Sequence, residues 1–105
     1  MSEITVYMVA SSAEEAKHIA ETLVRERLAA CANYLGKMTS FYWWDGDVQN
    51  GAEHAVLFKT TKDLFKLLET RVLELHSYDC PCVISWDIQD GSPAYLDWIR
   101  SETRP

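Results

Sequence analysis

The order of strand and helix patterns along the chain constrains its fold more than any other feature. Residues 4–10, ITVYMVA, are β-branched and apolar, as in a buried strand, and a helical pattern follows at once. An aromatic strand pattern (31–44), a returning strand (54–60), a second helix, a short strand (82–88) and a last helix come next. This order predicts an α+β fold, the ferredoxin-like split βαβ sandwich (βαββαβ plus a C-terminal helix), with helices on one face of an antiparallel sheet.

Each helical pattern carries its own start signal and one apolar face. Ser12 and Glu15 form a capping box before the first helix, Thr60 or Thr61 can cap the second, and Ser92 with Pro93 begins the third. The predicted buried faces are Ala16, Ile19, Ala20, Leu23, Val24 and Leu28 in the first helix, Leu64, Leu68, Val72 and Leu75 in the second, and Tyr95, Leu96, Trp98 and Ile99 in the third.

The aromatic strand and the returning strand are joined by a turn signal. Asp45-Gly46 is typical of a tight hairpin turn, while Asn50-Gly51 predicts a bulge or a wider loop nearby, and Gly36 can break the first strand. Side-chain alternation places Tyr42 and Trp44 on one face of the hairpin and Trp43 on the other. Such aromatics are more typical of a core or an interface than of a ligand platform.

Length and charge narrow the class of protein. A chain of 105 residues predicts one domain, 1–105, and its net charge of −6 without a Lys/Arg cluster disfavours nucleic acid and favours cations. The opening MSEITVYMV is typical of neither a signal peptide nor a membrane span. Three cysteines without regular spacing suit a reducing compartment, so we expect a cytoplasmic protein.

The segment HSYDCPC, residues 76–82, is the candidate metal site. Cys80 and Cys82 are two apart, which on a strand points both thiols to one face, and His76 and Asp79 could complete a site for a divalent metal or copper ion. The alternative is structural: the cysteines are small apolar residues at a strand entrance, and His76 caps the second helix. Lys59 is the basic side chain best placed to form an ion pair with Asp47 or Asp79. No catalytic motif is present, which predicts a protein that is not an enzyme.

Five segments, taken together, resemble one family. RERLAACAN, TSFYWWDGD, FKTTKDL, HSYDCP and GSPAYLDW resemble the CutA family of small cytoplasmic proteins linked to divalent-cation tolerance, over about residues 4–102. The resemblance implies the ferredoxin-like fold, related to PII signalling proteins, and a homotrimer in which a hairpin of about residues 38–59 packs into neighbouring subunits. It also implies a response to divalent metal ions, copper among them, and no assigned catalytic reaction.

The resemblance further implies a cleft between subunits. Asp47, Ser77 and Cys82 stand where the family carries a lysine, a proline and a glutamate. The fold relationship leaves an alternative function open, a PII-like regulatory module that binds a small ligand in this cleft and signals to a partner protein. The positions that match the family's cleft are Tyr42, Trp44, Asp47, His76, Ser77, Tyr78, Asp79, Pro81 and Cys82.

Overall fold

A four-stranded antiparallel sheet organises the chain, and the computed structural model describes residues 2–104 of it. The strands lie in the order β2-β3-β1-β4, and each neighbouring pair is antiparallel. This confirms the predicted α+β, ferredoxin-like fold; Met1 and Pro105, the ends of the predicted domain, lie outside the described residues. The elements are β1 (Glu3–Ala10), α1 (Ala13–Arg25), β2 (Cys31–Trp44), β3 (Asp47–Thr61), a 3₁₀ turn (Lys62–Leu64), α2 (Phe65–Leu75), β4 (Val83–Asp87) and α3 (Pro93–Glu102).

The core lies between the sheet and the helices α1 and α2. Alternation along β1 sends every second side chain to this face, where the apolar stripes of both helices cover it. The residues predicted to form the buried faces of the first two helices do face the core, with Val24 and Leu75 only partly buried. Leu28, however, follows the end of α1, and Leu64 lies in the 3₁₀ turn before α2. The central buried residues are Ile4, Val6, Met8, Ala16, Ile19, Leu23, Val56, Phe58, Leu68 and Val72.

The turn between β1 and α1 contains half of the predicted capping box. The Glu15 backbone N–H donates to Ser12 Oγ at 3.0 Å, so Ser12 caps the helix as expected. The Glu15 carboxylate does not close the box on Ser12, because its Oε1 accepts from the Ser11 N–H at 2.9 Å and its Oε2 from the Ser77 N–H at 2.9 Å. Glu15 therefore connects the start of α1 to the segment that follows α2.

The last helix, α3, contacts the sheet face opposite to α1 and α2. Arg100 pairs with Glu3 at 2.6 Å, and the Tyr95 hydroxyl lies 3.5 Å from the Cys31 sulfur. Ile99 is fully buried, but Tyr95 and Trp98 remain 43% and 41% exposed, which corrects the prediction that both aromatics pack. A single helix is too narrow to cover this sheet face, so part of the face stays open.

The hairpin of β2 and β3 extends well beyond the core, and the molecule measures 45 × 25 × 22 Å. Asp45 and Gly46 both have positive φ (54° and 82°), which confirms the tight turn. The register shifts once, next to Gly36 at φ 98°, so the predicted break is a bulge within one continuous strand. The bulge or loop predicted near Asn50-Gly51 is wrong, because both residues pair regularly with β2. Within residues 2–104 no helix has the length and apolar character needed to cross a bilayer.

Candidate functional site

A cleft of about 420 Å³ opens on the face of the hairpin that points away from α1 and α2. One wall comes from β2 and β3, and the other comes from the segment between α2 and β4. The hairpin supplies Ser40, Tyr42, Trp44 and Glu53, and the segment supplies Tyr78, Asp79 and Cys80.

The hairpin register explains the first wall. Trp44 pairs with Asp47 and Met38 pairs with Glu53, so alternation brings Tyr42, Trp44 and Glu53 to the same face. This confirms that Tyr42 and Trp44 share a face. Asp47 lies beside Trp44 at the exposed tip of the hairpin, on the rim rather than among the residues that line the cleft.

Tyr78 joins the two walls of the cleft. Its hydroxyl donates to Glu53 Oε2 at 3.0 Å, and its ring tilts against the His76 ring with centroids 4.8 Å apart. Burial, the hydrogen bond to Glu53 and the negative charge of that carboxylate raise the pKa of Tyr78 to about 12. At neutral pH Tyr78 therefore stays protonated and holds the Glu53 carboxylate in place as a donor.

His76 supports the second wall through its contacts with Tyr78. Its side chain is fully buried, its Nδ1 accepts from the Tyr78 N–H at 3.0 Å, and its Nε2 lies 2.7 Å from the Val9 carbonyl oxygen. Nδ1 must therefore carry the lone pair and Nε2 the proton, which makes the ring a neutral connector. Glu15 Oε1 lies 3.9 Å from Nδ1, too far for a hydrogen bond. Both ring nitrogens are occupied, so the structure does not support the predicted metal ligand. His76 does stand at the C-cap of α2, as predicted, but there its backbone N–H rather than a charged ring donates to the Val72 carbonyl oxygen at 2.9 Å.

Glu15 fixes the segment at Ser77, which leads into the second wall of the cleft. Burial disfavours its charged form, but hydrogen bonds from Ser11 and Ser77 outweigh that cost and lower the pKa of Glu15 to about 2. Ser77 contributes its backbone N–H here, a donor that a proline at this position would lack. This hydrogen bond connects the loop to α1.

The two cysteines of the segment lie in different surroundings. Cys80 is exposed and lines the cleft, whereas Cys82 is half-buried, and burial together with the charge of Glu53 raises the pKa of its thiol. Over residues 2–104, no three His, Cys, Asp or Glu side chains are arranged to hold a metal ion. The predicted site of His76, Asp79, Cys80 and Cys82 is therefore not assembled within one chain.

Two further site residues differ from the sequence prediction. Lys59 lies at the far end of β3, on the order of 40 Å along the strand from Asp47, and donates to Asn33. It therefore does not belong to the cleft. Glu53 was missed, although the Asp45-Gly46 turn fixes a register that pairs it with Met38 on the face of Tyr42 and Trp44. Counting paired residues outward from that turn would have placed Glu53 on this face.

Comparison with known proteins gives one family throughout. The model of a family described as "CutA1 divalent ion tolerance protein" matches residues 4–102. The divalent-cation tolerance protein CutA of Thermus thermophilus is 43% identical over 103 residues, which cover 98% of this chain and 99% of the relative.

Two solved structures show the same fold. CutA1 from Oryza sativa superposes with a TM-score of 0.96 at 38% identity, over 99% of this chain and 95% of that chain. The protein from Archaeoglobus fulgidus described as a periplasmic divalent cation tolerance protein CutA gives 0.94 at 35% identity, over 97% and 99%.

Proposed function

The chain belongs to the CutA1 divalent ion tolerance family, and we propose on this basis that it takes part in tolerance of divalent metal ions. The observation that carries the proposal is the match to that family over residues 4–102. A host strain that lacks its own family member, grown in rising Cu(II) or Zn(II), tests it. Restored growth with this chain is the expected result, and growth equal to that of the empty vector would contradict it.

We propose that this role needs no catalysis. Tyr78 is held protonated beside Glu53, and the raised pKa of Cys82 disfavours its thiolate, so neither is prepared to act as a base or a nucleophile. A cytoplasmic location belongs to the same proposal, because the three cysteines are all free thiols, as in a reducing compartment.

Assembly into a homotrimer is proposed from the surface of the hairpin. Phe41, Trp43 and Val48 are 74%, 75% and 58% exposed on the face of the hairpin that does not line the cleft. A two-stranded ribbon with large apolar side chains exposed on this face needs a partner surface to bury them. Native mass spectrometry should give three 12.0 kDa chains per particle. A monomer at micromolar concentration would contradict the proposal.

A resident metal or copper cofactor does not fit the donors of a single chain. His76 is engaged at both nitrogens and Cys82 is half-buried, which leaves Asp79 and Cys80 as exposed donors at the cleft. We propose that metal ions are bound, as cargo, by these two residues together with a neighbouring subunit. When the reduced protein is titrated with Cu(I), the affinity should be lower in Cys80→Ser and unchanged in the matched control Cys31→Ser. Equal binding by Cys80→Ser would remove this site from consideration.

A PII-like regulatory module is the second candidate function. The observation that favours it is the 420 Å³ cleft, whose wall is connected through His76 to Val9 of β1 and through Ser77 to α1. A ligand in the cleft would therefore act on the sheet and on a helix at once. A thermal-shift screen against metals and nucleotides separates the two functions, because stabilisation by a nucleotide alone would favour the regulatory module.

A further inference from the structure

The walls of the cleft combine aromatic rings and carboxylates without a basic residue. Tyr42, Trp44 and Tyr78 supply the rings, and Glu53 and Asp79 supply the carboxylates. From this combination we propose that the cleft binds a free, small organic cation, a substituted ammonium ion. The proposal goes beyond metal tolerance and does not depend on it.

Aromatic faces select the kind of cation. The negative face of a tryptophan or tyrosine ring attracts an ammonium group within about 6 Å, and the attraction grows when the cation is weakly hydrated. Trp44 and Tyr42 lie on the same face of the hairpin and line the cleft together with Tyr78. Alkyl groups on an ammonium ion would pack against these rings while its charge stays attractive to them.

The carboxylates supply charge that no side chain of the cleft neutralises. Glu53 is held by the Tyr78 hydroxyl, which adds no charge, and none of the seven residues that line the cleft is basic. Asp47 lies on the same face at the rim and extends the negative surface towards solvent. An anionic ligand such as a nucleotide would meet repulsion here, whereas a cation is attracted.

The donors of a single chain fit a divalent metal ion less well. Such ions are strongly hydrated and need several oxygen, nitrogen or sulfur donors to replace their water. One oxygen of Glu53 already accepts from Tyr78, and the described residues bring no three suitable donors together. The cleft volume of about 420 Å³ is instead within the range of small-molecule pockets.

The test uses tetramethylammonium as the probe and tert-butyl alcohol as its uncharged counterpart of similar shape. The protein has four tryptophans, so each indole N–H resonance can be followed separately in a titration at constant ionic strength. We expect tetramethylammonium to shift the Trp44 resonance saturably and to leave Trp98, on α3, unchanged. An equal response to tert-butyl alcohol, or no saturable shift at Trp44, would overturn the proposal.

Matched variants locate the charge that matters. Glu53→Gln keeps an acceptor for Tyr78 and removes one negative charge, and we expect it to weaken binding about tenfold. Asp63→Asn removes the same charge from the exposed 3₁₀ turn and should change binding less than about twofold. Equal effects of the two variants would overturn the proposal. Should Glu53→Gln fail to fold, Asp79→Asn takes its place, with the same expected loss and the same control.

A last arm identifies the source of the cation. A short peptide that carries trimethyllysine presents the same head group as part of a protein. Binding of the peptide no tighter than free tetramethylammonium supports a free small ligand, and markedly tighter binding would overturn that assignment in favour of a protein partner.

Discussion

Replacing Glu15 by glutamine tests how the cleft is held to the rest of the fold. The carboxylate accepts three hydrogen bonds, from the N–H and hydroxyl of Ser11 and from the N–H of Ser77. Glutamine keeps one acceptor oxygen and presents an NH₂ group where the other oxygen was, so at least one donor loses its partner. We therefore expect Glu15→Gln to lower the free energy of unfolding and to loosen the segment after α2.

The magnitude follows from the pKa of Glu15, which hydrogen bonds lower from 4.5 to about 2 against the effect of burial. At about 1.36 kcal/mol per pKa unit this lowering corresponds to about 3 kcal/mol. The turn lies at the protein surface, where water screens part of the interaction, so we expect about 2 kcal/mol. Because the pKa of Glu15 is lower in the folded state, the stabilisation is complete above the ordinary pKa and is lost as pH falls through the folded pKa.

The assay is urea unfolding at fixed protein concentration, compared at about pH 7 and about pH 2.5. Wild type should exceed Glu15→Gln by about 2 kcal/mol at the higher pH, and the gap should fall to about a quarter of that at the lower pH. Glu14→Gln removes an adjacent exposed charge from the same helical turn and serves as the control. A gap that does not change with pH, or a loss no larger than that of Glu14→Gln, would refute the reasoning.

Three further predictions follow from the same structure. His76→Leu should lower the free energy of unfolding by about 2–4 kcal/mol, because two backbone groups lose their partners; a loss below about 1 kcal/mol in urea unfolding would contradict this. Iodoacetamide at about pH 8 should alkylate exposed Cys80 about tenfold faster than Cys82, whose thiol pKa is raised; peptide mass spectrometry that finds equal rates would argue against it. Gly36→Ala should lower the free energy of unfolding by about 1–2 kcal/mol because Gly36 has φ 98°, although no atom lies within 4 Å of the new Cβ. Gly51→Ala, where φ is not positive, should lower it less, and equal losses in urea unfolding would point to another cause.

Local patterns predicted the elements of this fold well. The cap at Ser12 and the positive-φ turn at Asp45-Gly46 depend on neighbouring residues alone, and both are present as expected. The shared face of Tyr42 and Trp44 also follows from alternation within one strand. Such features need no knowledge of distant parts of the chain.

The site was harder to predict because its contacts are distant in sequence. His76 was interpreted as a ligand or a helix cap. It does stand at the C-cap of α2, but the role of its ring could not be predicted because the Val9 carbonyl that occupies it lies 67 residues away. Asn50-Gly51 has the composition of a turn, but pairing with β2 keeps it extended. That misleading turn signal hid the register that brings Glu53 into the cleft.

The position of β2 at the outside of the sheet affects how the single chain behaves during folding. One side of this 14-residue strand carries unpaired backbone donors and acceptors, and Lys37 is its only charged residue. A long edge with so little charge is a template for adding strands from other molecules, which leads to aggregation. The bulge next to Gly36 and the charge of Lys37 oppose such pairing. Slow refolding at high protein concentration should therefore produce β-rich aggregates that begin at this strand.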